Sequence, residues 1–208
     1  MRILTAEKNL VLFLLCYNEG MNRVKILAVV GMSGSGKSVA VDHLTEKGYP
    51  KVYFGGMIYK EMDKRGIKRT EDGESEKNFR EMIRQTEGKD WVVRQVIEET
   101  KDLIHAGQKR IVLDGVYSWT EYKILKHEFP HSITFLAIVV DKNLRYERVA
   151  HRPGRSFDTN AIRERDRSEI ENLEKGGPIA AADYYILNNG SIPDLQNNLD
   201  RILKEIEF

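Results

Sequence analysis

Five short runs of β-branched and aromatic residues punctuate the chain, at Lys25–Val30, Val52–Phe54, Arg110–Leu113, Ile133–Val140 and Tyr184–Leu187. They are more continuously apolar than a strand with one wet face would be, which is the pattern of a parallel sheet covered on both sides. The stretches between them carry a helical period instead. Lys89–Ala106 sets Trp91, Val92, Val96, Ile97, Leu103 and Ile104 at helical spacing, with Asp90 placed to cap its start and Gly107 to end it. Ser38 to about Lys47 does the same with Val39, Val41 and Leu44 and stops at Gly48. Further helices are predicted at Ile58–Arg65, Ser75–Thr86, Trp119–Glu128, Asn143–His151, Asn160–Glu174 and Pro193–Glu207. Strands alternating with helical stretches predict an α/β domain, a three-layer sandwich around a five-stranded parallel sheet. Two charged, Gly- or Pro-broken segments interrupt the pattern, Gly66 to Gly73 and Arg152-Pro153-Gly154-Arg155; segments of this kind can hinge beside a pocket.

Composition narrows the class. The 208 residues suit one such domain, and two would be crowded. The 33 Lys and Arg against 32 Asp and Glu leave a net charge of +1, so no global basic field argues for nucleic acid or an anionic membrane as partner. The single cysteine, Cys16, rules out an intramolecular disulfide framework and fits a reducing, cytoplasmic setting. No apolar run reaches the length of a membrane span. The block Leu10–Leu15 has the look of a weak signal-peptide core, but no small-x-small cleavage site follows it. Residues 1–22 are therefore read as an extra edge element or as an extension upstream of a functional start at Met21, and residues 23–208 as a single domain.

The chemistry sits directly after the first strand. Gly31-Met32-Ser33-Gly34-Ser35-Gly36-Lys37-Ser38 completes the phosphate-binding pattern G-x-x-x-x-G-K-[ST] between a strand and a helix. Glycines let successive backbone N–H groups turn inward around an anion, and the helix dipole favours the same charge. Gly31, Ser33, Gly34, Ser35, Gly36, Lys37, Ser38 and Val39 are accordingly the candidate ligands of a nucleoside triphosphate, with Lys37 on the outer phosphates and the Ser38 hydroxyl on magnesium. Ile111-Val112-Leu113-Asp114-Gly115 ends a strand on a carboxylate; alone this is an ordinary turn, but beside a phosphate loop Asp114 becomes the second magnesium partner.

Arginines form the other constellation: Arg145, Arg148, Arg152, Arg155, Arg163, Arg165 and Arg167, seven within 23 residues. Guanidinium groups suit phosphate through bidentate contacts. Arg148 and Arg152, four apart, would project from one helix face as a clamp. Arg165 and Arg167 are further candidates, whereas Arg145 and Arg163 read as a solvated face neutralised by Glu147, Glu164, Asp166, Glu169 and Glu171.

At the C-terminal end Ala182–Leu187 runs into the polar turn Asn188-Asn189-Gly190-Ser191. With the phosphate loop, the Asp-Gly strand end and the arginine-bearing segment at about 148–170, this resembles the P-loop nucleotide kinases, closest to dephospho-CoA kinase and its uncharacterised archaeal relatives, with adenylate kinase more distant. The resemblance runs from about Arg23 to the C-terminus. It implies a sheet of order 2-3-1-4-5, ATP with Mg2+ as donor, a helical acceptor region at about 55–106, and a lid closing over the phosphates. It also implies that Asn188, Asn189 and Gly190 border the adenine, that Arg148 and Arg152 clamp the donor, and that Lys37 and Asp114 act in catalysis. The acceptor would be a nucleotide-like small molecule. The chain departs from that pattern at Phe54-Gly55-Gly56, where no acid is present; no carboxylate occurs between Val52 and Lys60. Tyr59 stands near the place of the acceptor-gripping arginine, and Tyr117 or Ser118 takes the place of the one expected after Asp114-Gly115. Acceptor recognition is expected to have moved, with Arg80, Arg84 and Arg94 as candidates. A phosphate acceptor needs positioning more than a general base, so the missing acid favours an anionic acceptor, unless Asp114 doubles as base. The rival reading is a nucleotide-binding regulator that hydrolyses NTP without a small acceptor.

Overall fold

A computed structural model describes residues 24–70, 74–151 and 159–208. The block Leu10–Leu15, Cys16, Met21, Arg152 and Arg155 lie outside the described residues. Strand β1 (Lys25–Val30) leads through the glycine loop into α1 (Lys37–Glu46), followed by β2 (Lys51–Tyr53), α2 (Phe54–Lys64), α3 (Glu74–Thr86) and α4 (Trp91–His105). Then come β3 (Arg110–Asp114), α5 (Trp119–Glu128), β4 (Ile133–Val139), α6 (Lys142–Ala150), α7 (Thr159–Glu171), the short α8 (Gly176–Ala180), β5 (Tyr184–Leu187) and α9 (Ile192–Glu205). The sheet is parallel throughout in the order β2-β3-β1-β4-β5, the topology the resemblance implies.

The continuous apolar strands are explained by two cores, one on each sheet face. Ile26, Ala28, Val30, Ile111, Leu113, Phe135 and Ala137 meet Val93, Val96 and Ile97 of α4 and Leu125 of α5. Their neighbours in sequence, Leu27, Val29, Val112, Leu136 and Ile138, point the other way and meet Ala40, Val41 and Leu44 of α1 and Leu195, Leu199 and Leu203 of α9. The alternation of side chains along a strand makes both faces apolar only when both are covered. A third, smaller cluster of Ile58, Met62, Phe79 and Ile83 joins α2 to α3 as an arm beside the sheet.

Two local expectations are corrected, and one element is added. Asp90 does stand at the start of α4, but its backbone is already helical (φ −94, ψ 0) and its side chain makes no cap; the carboxylate pairs with Arg94 at 3.4 Å instead. A cap needs extended backbone to aim its oxygen at the first free N–H groups. Ser118 and Ser191 have that backbone, and each closes a capping box, with Glu121 and Asp194 respectively. The glycine pair Gly55-Gly56, which pattern alone leaves out of the second helix, lies within α2, because Phe54 is buried and anchors the helix start. A Cβ on Gly55 would come within 2.4 Å of the Tyr53 hydroxyl, so these glycines let the Tyr53 ring fold back over the first turn. The short α8 was not predicted, having neither the length nor the period to be read.

Candidate functional site

The neighbouring strands β1 and β3 run on into helices that cover opposite faces of the sheet, α1 against one core and α5 against the other, and ligands of open parallel sheets bind at the carboxyl ends of the strands at such a point. A cavity of about 580 Å³ opens there, lined by the glycine loop, the end of β3 and residues of α6 and α7. Of the predicted residues it brings together Ser33, Gly34, Gly36, Lys37, Ser38, Val39, Asp114, Arg148 and Arg165.

The loop is built as an anion cradle. Gly34 and Gly36 hold φ of +83 and +100, left-handed conformations that only glycine adopts without strain. Neither has room for a side chain: a Cβ on Gly34 would lie 2.4 Å from Val149 Cγ2, and one on Gly36 would lie 2.3 Å from Asn188 Nδ2. At Gly31 a Cβ would meet the Ile138 carbonyl oxygen at 2.4 Å. Lys37 starts α1 and folds back so that its ammonium donates to the Met32 carbonyl at 3.2 Å. Burial, with the Lys175 ammonium next, lowers the Lys37 pKa to about 8, against the opposing pull of Glu169 and Asp114. A cation held at a loss beside the glycine loop is what an incoming phosphate would stabilise. Ser38 and Asp114 line the same cavity, so a hydroxyl and a carboxylate could hold magnesium there with phosphate oxygens and waters completing the shell. Burial raises the Asp114 carboxyl, and Lys51 and Lys37 oppose the rise.

The arginines divide differently from their spacing. Arg145, expected on a solvated face, is 7% exposed. Its guanidinium donates from Nη1 to Asp166 Oδ1 at 2.7 Å and to the Ser33 carbonyl at 3.1 Å, while Nη2 pairs with Asp166 Oδ2. It thus ties α6, α7 and the phosphate loop together. Arg167, a phosphate candidate by pattern, is instead the solvated one, facing Glu164 and Glu171 with 65% of its side chain exposed. Arg148 lines the cavity but is engaged with the C-terminal turn, donating to the carbonyls of Asn188 (2.7 Å) and Gly190 (3.1 Å). Asn188 in turn donates from Nδ2 to the Ser35 carbonyl at 2.8 Å, and Asn189 Oδ1 accepts from the Asp141 N–H at 3.0 Å. The turn after β5 is therefore sewn to the phosphate loop. Arg94 pairs along its own helix with Asp90, as helix-surface charge.

Lys51, Tyr53 and Lys175 line the cavity without a signal in the sequence, and Glu169, expected on a solvated face, is buried at 4% exposure and lines it too. Lys175, between α7 and α8, pairs with Glu169 of α7 at 3.0 Å, and its ammonium lies 4.8 Å from the centre of the Tyr117 ring. Glu169 also accepts from the Ser33 N–H at 3.1 Å. Burial pushes the Lys175 ammonium down. Burial would raise Glu169, but Lys175 and the Ser33 N–H hold that carboxylate below its usual range. Lys51, Tyr53 and Tyr117 close the cavity toward β2 and β3. Arg80 of α3 opposes the upward shift that burial, Tyr59 and Asp114 impose on Tyr53, so a guanidinium is within electrostatic reach of this end.

A glycine loop of this sequence and conformation, at the switch point of a 2-3-1-4-5 parallel sheet, defines a P-loop domain of the kinase type. Residues 27–172 match the AAA domain family. The chain belongs to the UPF0200 family: it is 33% identical over 185 residues to a UPF0200 protein of Thermococcus kodakarensis, covering 87% of this chain and 97% of that one. A UPF0200 protein of Pyrococcus abyssi is likewise 33% identical, over 187 residues, covering 88% and 97%. Among solved structures, dephospho-CoA kinase from Campylobacter jejuni is similar with a TM-score of 0.56 at 16% identity, covering 88% of this chain and 98% of that one. Shikimate kinase from Acinetobacter baumannii, solved with shikimate, is similar with a TM-score of 0.55 at 16% identity, covering 88% and 94%. At that identity the likeness is one of fold.

Proposed function

We propose that this protein is a cytoplasmic ATP-dependent phosphotransferase acting on an anionic, nucleotide-like small molecule. The observation that carries the reading is that Lys37, Ser38, Asp114 and the α6–α7 arginines converge on one cavity although they come from four elements. On this reading residues 23–208 form one catalytic domain, with an acceptor arm at about 55–106 and a lid at about 148–170. The amides of Gly34–Lys37 and the Lys37 ammonium hold the donor phosphates, with Gly31, Ser33, Ser35 and Val39 shaping the loop. Ser38 and Asp114 would hold magnesium, which when bound offsets phosphate charge. Arg148, with Arg152, neutralises charge at the lid side, and the turn Asn188-Asn189-Gly190 borders the base. The acceptor enters toward β2 and β3, between Tyr53, Tyr117, Lys51 and the α3 arginines Arg80 and Arg84. An acceptor that is already an anion needs orientation more than deprotonation. For a hydroxyl acceptor, Asp114 is the candidate base, its carboxyl raised by burial toward the useful range.

Incubation with γ-labelled ATP, magnesium and a panel of nucleoside monophosphates, dephospho-CoA and pooled metabolites tests this. A labelled small-molecule product that disappears with Lys37→Ala supports it, and weak or absent labelling of dephospho-CoA is expected. Release of free phosphate alone, at a rate no acceptor changes, would instead favour an NTP-hydrolysing regulator.

A further inference from the structure

Glu169 Oε2 is the common acceptor of two donors, the Ser33 backbone N–H at 3.1 Å and the Lys175 ammonium at 3.0 Å. One donor belongs to the phosphate loop and the other is a buried cation. That pairing of loop amide and ammonium around a single anionic oxygen is what a phosphate oxygen requires. Glu169 and Lys175 are 4% and 5% exposed, yet both line the nucleotide-sized cavity with Lys37. Arg165 approaches the other oxygen, Oε1, at 3.3 Å, so Glu169 is a carboxylate gathered among cations beside the loop.

The position of Lys175 along the cavity follows from the sheet. Its ammonium lies against the Tyr117 ring, which follows β3 on one side of β1, while Asn188 follows β5 on the other. A nucleotide whose base borders the β5 turn and whose phosphates cross the loop therefore brings its terminal phosphate toward Lys175. The competing explanation is a structural brace from α7 to the loop. A buried ion pair adds little net stability over well-packed apolar residues, and a brace does not need a second ammonium, that of Lys37, near enough to be depressed by the first.

We propose that Glu169 is a built-in stand-in for a phosphate oxygen and that Lys175 is a second phosphate ligand: on entry of a nucleoside triphosphate, Lys175 and the Ser33 N–H exchange Glu169 for an oxygen of the terminal phosphate. The inference rests on the triphosphate-site reading above, and adds to it a lysine outside both the loop and the lid arginines, together with an internal anion that competes with the ligand.

The test is titration of the full chain with fluorescent N-methylanthraniloyl derivatives of ATP and ADP in magnesium, with thermal melts to verify folding. Lys175→Met is expected to weaken ATP about tenfold to a hundredfold, the usual span for one charge-assisted hydrogen bond, and ADP by less than about threefold. Lys175→Arg keeps the charge and should restore part of the ATP preference. Glu169→Gln removes the competing charge and is expected to tighten ATP by severalfold, with a smaller effect on ADP. Should Lys175→Met alone fail to fold because Glu169 is left unpaired, the double variant Glu169→Gln/Lys175→Met, compared with Glu169→Gln, reads the lysine by itself. An unchanged ATP-to-ADP ratio on removing Lys175, or weaker ATP binding in Glu169→Gln, makes the pair a brace and overturns the proposal. Lys37→Ala separates the two readings. If the wild type binds neither nucleotide, or Lys37→Ala binds both as well as the wild type does, the triphosphate site itself fails. If binding is lost with Lys37 but the ratio ignores Lys175, only the present inference fails.

Discussion

Replacing Arg145 by alanine separates a packed arginine from a solvated one. In the structure the substitution removes both hydrogen bonds to Asp166 and the one to the Ser33 carbonyl, at a guanidinium that is 9% exposed facing a carboxylate that is 14% exposed. Removing one partner of a buried pair typically costs about 3–5 kcal/mol, because the other charge stays buried. Here the Tyr146 hydroxyl still donates to Asp166 at 3.0 Å, which moves the expectation to the lower end. A loss of about 3 kcal/mol is expected, or roughly 6–12 °C in melting temperature at the 2–4 °C per kcal/mol usual for a chain of this size. Urea unfolding of the wild type, Arg145→Ala, Asp166→Asn and the double variant completes a cycle, and the double should lose clearly less than the sum of the singles. Because the Ser33 carbonyl loses a donor, ATP affinity should fall as well. A destabilisation below about 1 kcal/mol, or additivity within about 0.5 kcal/mol, would mean that Arg145 behaves as the solvated surface charge its sequence suggests, and the geometric argument would be refuted.

Three further outcomes are expected. Gly36→Ala forces a Cβ to within 2.3 Å of Asn188 Nδ2 at a φ of +100, so it should destabilise by more than about 1 kcal/mol and abolish ATP binding; wild-type affinity would mean that the loop relaxes freely. Asp114→Asn keeps the shape of the β3 end but removes its charge, so turnover in the labelled-ATP assay should fall by at least about a hundredfold while the fold survives, and a variant within tenfold of wild type would remove Asp114 from the mechanism. Burial would raise the Asp166 carboxyl, but Arg145 and Tyr146 hold it below its ordinary range, so the unfolded chain takes up that proton first as the pH falls. The stabilisation from Asp166 should therefore be complete above about pH 5 and shrink below it, narrowing the stability gap between wild type and Asp166→Asn; a gap that stays constant down to about pH 3 would contradict the linkage.

The glycine loop was legible in the sequence because its function is carried by consecutive backbone groups, so spacing alone specifies it. Strand Lys25–Val30 and helix Trp119–Glu128 were legible for a related reason: continuous apolar runs and a 3.6-residue period are local consequences of burial. The parallel sheet followed from their alternation, and its order from the family resemblance. What the sequence could not assign was which charges face inward. Arg145, Arg148 and Arg167 have the same chemistry and helical neighbours, but one is buried against Asp166, one is bound to the turn after β5, and one is in water. That division depends on how α6 and α7 rotate onto the loop, a tertiary choice made by packing around Val149 and Ile162 rather than by any residue's propensity. Glu169 and Lys175 were out of reach for a further reason. The Ser33 partner of Glu169 lies 136 residues away in the chain, and a charged residue in a polar stretch, such as Glu169 or Lys175, reads as solvated until the fold removes the solvent. Sequence thus determined the phosphate loop and the sheet it rises from, while only the tertiary structure decided which of many surface-like charges would be desolvated around it, because desolvation is a property of the assembled layers and not of the local chain.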